Sequence, residues 1–186
     1  MVEEYVGVKF KTLFEGVKFG HETEREGIVE ELARLSKRRL LDSNNGNVSV
    51  KVKEGIVITP TGKNMGDIEA KDLVLVTGVD EWARLVRTVG RTPPSSEAMM
   101  HWLIYESFPR AKAVVHFHDA EILKNHERFV ETEMEHPYGT LELAHAALKA
   151  LKKRKLIVLK GHGVLAIGKD LRACHARVEK AVRLVR

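Results

Sequence analysis

The chain has one cysteine, Cys174, and no glutamine among its 186 residues. A lone thiol excludes an internal disulfide framework and a cysteine-based metal cluster, and it fits a reducing compartment. The missing glutamine, beside five asparagines and abundant Lys, Arg and Glu, fits a heat-adapted source. No apolar run approaches the length that spans a bilayer. The opening stretch, MVEEYVGVKF, is acidic at its start and lacks the basic-then-apolar pattern of a secretory signal, so a cytoplasmic protein is expected. Charge of a single sign is scarce too, because 31 Lys and Arg interleave with 26 Asp and Glu for a net +5. One basic cluster stands out, KKRK at Lys152 to Lys155, where a helix is expected to end and cations suit its dipole. No aromatic-and-basic stripe accompanies it, so no nucleic-acid or membrane partner is expected.

What is present is a globular composition, 44% hydrophobic and 31% charged, in a length that suits one domain. The stretch GVKF occurs at Gly7 to Phe10 and again at Gly16 to Phe19, which predicts two short strands or extended arms. Ile28, Leu32, Leu35 and Leu40 predict an amphipathic helix over about 24–41, ended by DSNNGN. VSVKV and GIVIT alternate around Lys53 to Gly55 as a hairpin, and PTGKNMG follows as a turn. LVLVT reads as a buried strand, and PPSSEAMMHWLIYESF as a helix with serine caps. AVVHFH is a strand, a helix follows over about 139–153, and KLIVLKGHGVLAIG makes two strands around a glycine-flanked corner. A last helix is capped by Asp170. The mixture predicts an α/β fold, a three-layer sandwich with a central, largely antiparallel sheet flanked by helices.

Two histidines one residue apart on a strand share a face, so His116 and His118 project together with Phe117 opposite. Two imidazoles side by side need a partner. His162, between two glycines at a sharp corner, is a third candidate ligand, and Glu97 stands at the first turn of a helix. Three neutral imidazoles and a carboxylate can fill a tetrahedral site for a divalent ion such as zinc. Spacing alone leaves ordinary satisfied histidines as the other reading, just as NNGN, PTGKNMG and PPSS read alone are turns and a helix cap. His101 is either a partner behind Glu97 or a packed helix histidine, and His126, His136, His145 and His175 lack a motif context. Trp82, Trp102 and Phe108 are expected in the core. Lys63 and Lys160 flank the proposed site.

Taken in order, NNGNVSV, ITPTGKNM, PPSSEAMMHWLIY, AVVHFHDA and LKGHGVLAIGKDL resemble the class II aldolase and adducin superfamily, most of all its L-fuculose-phosphate aldolases. The resemblance covers roughly residues 27–185. It implies one domain over 1–186, with residues 1–23 as an N-terminal extension of unknown role. It further implies one Zn2+ per chain, or another divalent ion, held by His116, His118, His162 and Glu97, with Glu97 also serving as acid and base. Asn47, Thr61, Gly62, Ser95 and Ser96 are implied as the phosphate site, where close backbone approach and uncharged donors suit an anion. The implied reaction cleaves a ketose 1-phosphate such as L-fuculose 1-phosphate to dihydroxyacetone phosphate and an aldehyde, in a homotetramer with sites at subunit boundaries.

The resemblance breaks between His118 and PYGT at Pro137 to Thr140, which is shorter than the family pattern and lacks its proton-donating tyrosine. Tyr138 lies in a different local motif and receives no role. Neighbouring readings are a pentulose-phosphate 4-epimerase, which has aspartate where this chain has Glu97, and a methylthioribulose-phosphate dehydratase. A non-catalytic adducin-like module is the reading from another class.

Overall fold

The computed structural model describes residues 7–41 and 43–186; the first six residues of the expected extension, and Asp42 in the DSNNGN break, lie outside them. Among the described residues eight strands form one sheet: β1 (Lys11–Gly16), β2 (Asn47–Lys51), β3 (Ile56–Ile58), β4 (Val74–Asp80), β5 (Leu85–Val89), β6 (Ala113–Phe117), β7 (Leu156–Leu159) and β8 (Gly163–Gly168). Their order is β1-β5-β4-β3-β2-β6-β8-β7. Every neighbouring pair is antiparallel except β1 with β5. Five α-helices of the described residues cover it: α1 (Glu22–Lys37), α2 (Ala98–Ser107), α3 (Ala120–Lys124), α4 (Leu141–Leu151) and α5 (Leu171–Val185).

The period of two along each strand sorts the core into two layers. Ile56, Ile58, Val74, Val76, Val114, Leu165 and Ile167 face one way and bury against Met100, Leu103 and Ile104 of α2 and Leu143, Ala147 and Leu151 of α4. Val48, Val57, Leu75, Val115, Phe117, Val164 and Ala166 face the other and bury against α1, α3 and α5 through Ile28, Leu32, Ile122, Cys174 and Val178. The molecule is therefore the three-layer α/β sandwich that the alternation predicts. Each fully buried Leu, Ile or Val adds roughly 1.5–3 kcal/mol of transfer free energy, so both layers hold the sheet rigid beneath the loops at its ends.

Several local expectations shift. The first helix runs over Glu22–Lys37, and Leu40 is buried in the turn beyond it. The two GVKF copies flank a single strand, since β1 spans the residues between them and pairs with β5 from Lys11 to Gly16. α2 begins at Ala98 with Glu97 in the cap position and no side-chain cap. Ser95 acts one step earlier: it accepts from Ala98 N through its carbonyl (2.9 Å) and from Glu97 N through its hydroxyl (3.3 Å). Trp102 and Phe108 pack on the core, but Trp82 is 91% exposed in the turn between β4 and β5, where no helix covers it.

Candidate metal centre

Strand β6 carries the first histidine and its end carries the second. His116 lies directly opposite Asn47 of β2 and Leu165 of β8 in the sheet register. It shares a face with Val114, toward α2, while Phe117 is buried on the other side. The strand ends at Phe117, and Asp119 caps α3 by accepting from Ile122 N at 2.9 Å, which turns the chain away just after His118. Arg186 donates to the second oxygen of Asp119 at 2.7 Å. His162 comes from the β7–β8 corner, whose turn is closed by its own N–H donating to Leu159 O at 2.9 Å.

The imidazole Nε2 atoms meet. His116 Nε2 lies 3.1 Å from His162 Nε2 and 3.1 Å from His118 Nε2. Glu97 Oε2 stands 3.2 Å from His116 Nε2, and its Oε1 is 3.6 Å from His162 Nε2. His116 Nδ1–H donates to Val164 O at 3.0 Å, which fixes the tautomer and leaves the Nε2 lone pair pointing into the cluster. Burial pushes His116 down to about 3, helped by His162 and opposed by the bond to Val164 O. Burial also pushes His118 down to about 3, helped by His116 and His162 and opposed by Glu97. Both rings are therefore neutral near pH 7, with electron pairs available.

These residues fit a divalent cation. An Nε2–H on His118 or His162 can donate to His116 Nε2, and with Nε2 bare on all three rings the 3.1 Å spacings come close to the edges, about 3.3 Å, of a tetrahedron built on zinc–nitrogen bonds of roughly 2.0–2.1 Å. Glu97 Oε1, buried, has no hydrogen-bond partner among the described residues, so a carboxylate oxygen is also left for a cation. Gly163 permits the close approach: a Cβ there would meet His116 Cε1 at 2.7 Å and His118 Cδ2 at 3.0 Å.

The centre opens into a cavity of about 460 Å³ whose walls include all nine residues singled out in the sequence: His116, His118, His162, Glu97, Asn47, Thr61, Gly62, Ser95 and Ser96. Two backbone bonds, Thr61 N to Pro93 O at 3.1 Å and Ser95 N to Thr59 O at 3.0 Å, tie the two turns together. Hydroxyl and amide donors thus line the wall facing the histidines. Asn47 Nδ2 donates to Glu97 Oε2 at 2.8 Å and orients the carboxylate. The flanking lysines are engaged elsewhere, Lys63 with Asp72 at 2.6 Å and Lys160 with Glu131 at 3.5 Å.

Behind the cavity, His101 is fully buried and bonds through Nδ1 to Ser49 Oγ at 2.7 Å, while Tyr105 donates to Ser49 O at 3.0 Å. Burial pushes His101 down to about 3. His126, His145 and His175 face the carboxylates of Glu131, Glu81 and Glu31 at 2.8, 3.3 and 2.8 Å, away from the cluster.

Sequence reasoning gave Tyr138 no place, yet the residue lines the cavity. Gly139 brings it there by packing on Ser96, whose carbonyl a Cβ at 139 would meet at 3.0 Å. Lys9, from the segment before β1, donates to Tyr138 O at 2.6 Å and stands 4.2 Å over the phenol ring. The glycine after an aromatic was the only signal available, and it says nothing of a contact 129 positions away.

Residues 26–186 match the Class II Aldolase and Adducin N-terminal domain family. The 5-methylthioribulose-1-phosphate/5-deoxyribulose-1-phosphate aldolase of Rhodospirillum rubrum is 29% identical over 166 residues, 80% of this chain and 72% of its own. The L-fuculose phosphate aldolase of Haemophilus influenzae is 30% identical over 161 residues, 77% of this chain and 72% of its own. A solved L-fuculose 1-phosphate aldolase superposes with a TM-score of 0.75 at 26% identity, over 89% of this chain and 87% of that one. The match extends through both core layers and every wall of the cavity, and the chain belongs to the class II aldolase and adducin family.

Proposed function

We propose that the protein is a metal-dependent aldolase, a carbon–carbon lyase that cleaves a ketose 1-phosphate to dihydroxyacetone phosphate and an aldehyde. The observation that carries this reading is the meeting of three imidazole nitrogens beside a buried carboxylate, at one wall of a cavity whose other wall offers uncharged donors. L-fuculose 1-phosphate is the first substrate to test. A second, 5-methylthioribulose 1-phosphate or its 5-deoxyribulose counterpart, is favoured by the activity for which the Rhodospirillum rubrum relative is named. The 4-epimerase reading is disfavoured by Glu97, and the non-catalytic module by a ligand set that a scaffold has no physical reason to keep. The same reading takes 1–186 as one domain working in the cytoplasm as a homotetramer, with sites at subunit boundaries and one zinc per chain.

His116, His118 and His162, with Glu97 beside them, would hold the divalent ion, whose charge when bound polarises the substrate carbonyl and offsets negative charge developing on its oxygens. Asn47, Thr61, Gly62, Ser95 and Ser96 take the phosphate with neutral donors. Glu97 handles the proton on the carbon beside the carbonyl: it gives that proton in cleavage and removes it in condensation. Asn47 keeps the carboxylate aimed through the 2.8 Å bond. Burial around Glu97 excludes bulk water from the carbanionic carbon.

Exchange of one proton of dihydroxyacetone phosphate with solvent deuterium, followed by NMR, tests the reading without an aldehyde. The zinc-loaded protein exchanges it, and Glu97→Gln retains the metal but not the exchange. Exchange at the wild-type rate in that variant removes Glu97 from its role. A panel of fuculose, rhamnulose, ribulose and methylthioribulose phosphates then selects the substrate.

A further inference from the structure

The strands that carry the metal centre at one end border a second cavity, of about 530 Å³, at the other. Its walls are apolar: Phe108, Pro109 and Ala111 between α2 and β6, Ile167 at the end of β8, and Ala173 of α5. Four cations stand around these walls, Arg110, Lys155, Lys169 and Arg177. None of them forms an ion pair with a carboxylate of the described residues. The nearby Asp170 is committed to α5, accepting from Ala173 N at 2.7 Å.

Lys155 belongs to the KKRK cluster, and the helix dipole does not account for it. α4 ends at Leu151, and Lys155 is already bound into the sheet margin, its carbonyl accepting from Ile167 N at 2.9 Å. Its ammonium lies 4.7 Å over the Phe108 ring. Arg177 is half-buried and uses one N–H on Ala173 O at 2.6 Å, which leaves the rest of its guanidinium fork for another acceptor. Four like charges around an apolar hollow repel one another through partial solvent screening, since Arg110, Lys155 and Lys169 are exposed, and a bound anion offsets what remains of that repulsion. Walls of this kind also favour an aromatic body, which Phe108 and the alkyl stems of the cations can cover.

We propose that this cavity is a binding site for an aromatic phosphate monoester, of which a nucleoside monophosphate is the common biological form. The volume falls within the range of small-ligand pockets. The site is separate from the metal centre and independent of the aldolase reading.

Equilibrium dialysis with 1-naphthyl phosphate and with AMP tests it, with neutral 1-naphthol as the control. Each phosphate is expected to fill one site per chain that weakens as salt is raised, and 1-naphthol to bind at least about tenfold more weakly than 1-naphthyl phosphate. Lys155→Ala combined with Arg177→Ala should raise both phosphate dissociation constants by about tenfold or more, while Ser96→Ala at the other cavity leaves them unchanged. Arg110→Ala with Lys169→Ala, both fully surface changes, gives a weaker loss in the same direction and serves if the first pair fails to fold. The proposal is overturned if 1-naphthol binds as tightly as its phosphate, if both paired variants bind as wild type does, or if Ser96→Ala removes the binding. It also fails if neither phosphate binds and the variants change only the oligomeric state, because the face would then be an interface between copies.

Discussion

Asn47 and His116 face each other across neighbouring strands, and the Asn47 amide reaches past the ring to hold Glu97 Oε2 at 2.8 Å. A hydrogen bond to a buried charged group contributes about 1.5–3 kcal/mol. Removing it lets the carboxylate rotate, so Asn47→Ala is expected to retain near-stoichiometric metal and to lower deuterium exchange on dihydroxyacetone phosphate by about 10- to 100-fold. Metal content by plasma mass spectrometry and exchange by NMR separate the two effects. Equal exchange in variant and wild type would leave the bond without a part in the reaction.

The ligand set predicts metal retention directly. His116→Ala and His162→Ala each remove one of three convergent nitrogens, and each is expected to bring bound zinc from near one per chain to near zero after dialysis. His126→Ala and His145→Ala, which face Glu131 and Glu81 away from the cluster, should keep it.

Gly163→Ala probes the close approach with no ligand altered. The added methyl would stand 2.7 Å from His116 Cε1, and the ring is held at the adjacent Nδ1 by Val164 O. The strand must shift, at a cost of about 1–3 kcal/mol. Zinc affinity is expected to fall at least tenfold while the far-ultraviolet spectrum stays that of the wild type; unchanged affinity would show that the corner yields freely.

Much of this arrangement is legible in the chain because it rests on local rules. The alternation in AVVHFHDA puts His116 and Phe117 on opposite faces, as found, and the glycines around His162 mark a corner. The parts that escaped depend on partners distant in sequence. β5 has the short mixed run LVRTV and is a strand because β4 and β1 pair with it on either side. Trp82 looks like core by type, but its position at a hairpin tip puts it in water. Tyr138 lines the cavity beside Gly139, whose backbone stands against Ser96, a neighbour 43 positions earlier in the chain.

Acid should weaken the metal-free protein through its buried histidines. His101 takes up a proton near pH 6.5 when unfolded and only near 3 when folded, so its folded pKa is depressed. Its contribution is complete above about 6.5 and is lost as pH falls toward 3, because the unfolded chain binds the extra proton. At pH 5, proton uptake on unfolding is expected to drop by about one in His101→Gln relative to wild type, measured from the pH slope of urea stability. An unchanged slope would mean that His101 is protonated in the fold.

Tyr138→Phe separates proton handling at carbon from proton handling at oxygen. In condensation the new carbon–carbon bond turns the aldehyde oxygen into a hydroxyl, which needs one proton from outside the substrate, while Glu97 has gained one from dihydroxyacetone phosphate. A phenol in the cavity wall, with the Lys9 ammonium 4.2 Å over its ring to favour the charge left behind, can give that proton and recover it through solvent. Losing the hydroxyl should leave deuterium exchange within about twofold of wild type, since no aldehyde takes part, and slow cleavage of the accepted ketose phosphate by about 10²-fold or more. Lys9→Ala should slow cleavage in the same sense and by less. If Tyr138→Phe cleaves at the wild-type rate, the proton comes from elsewhere; if exchange falls along with cleavage, the ring is holding Ser96 and Glu97 in place through packing.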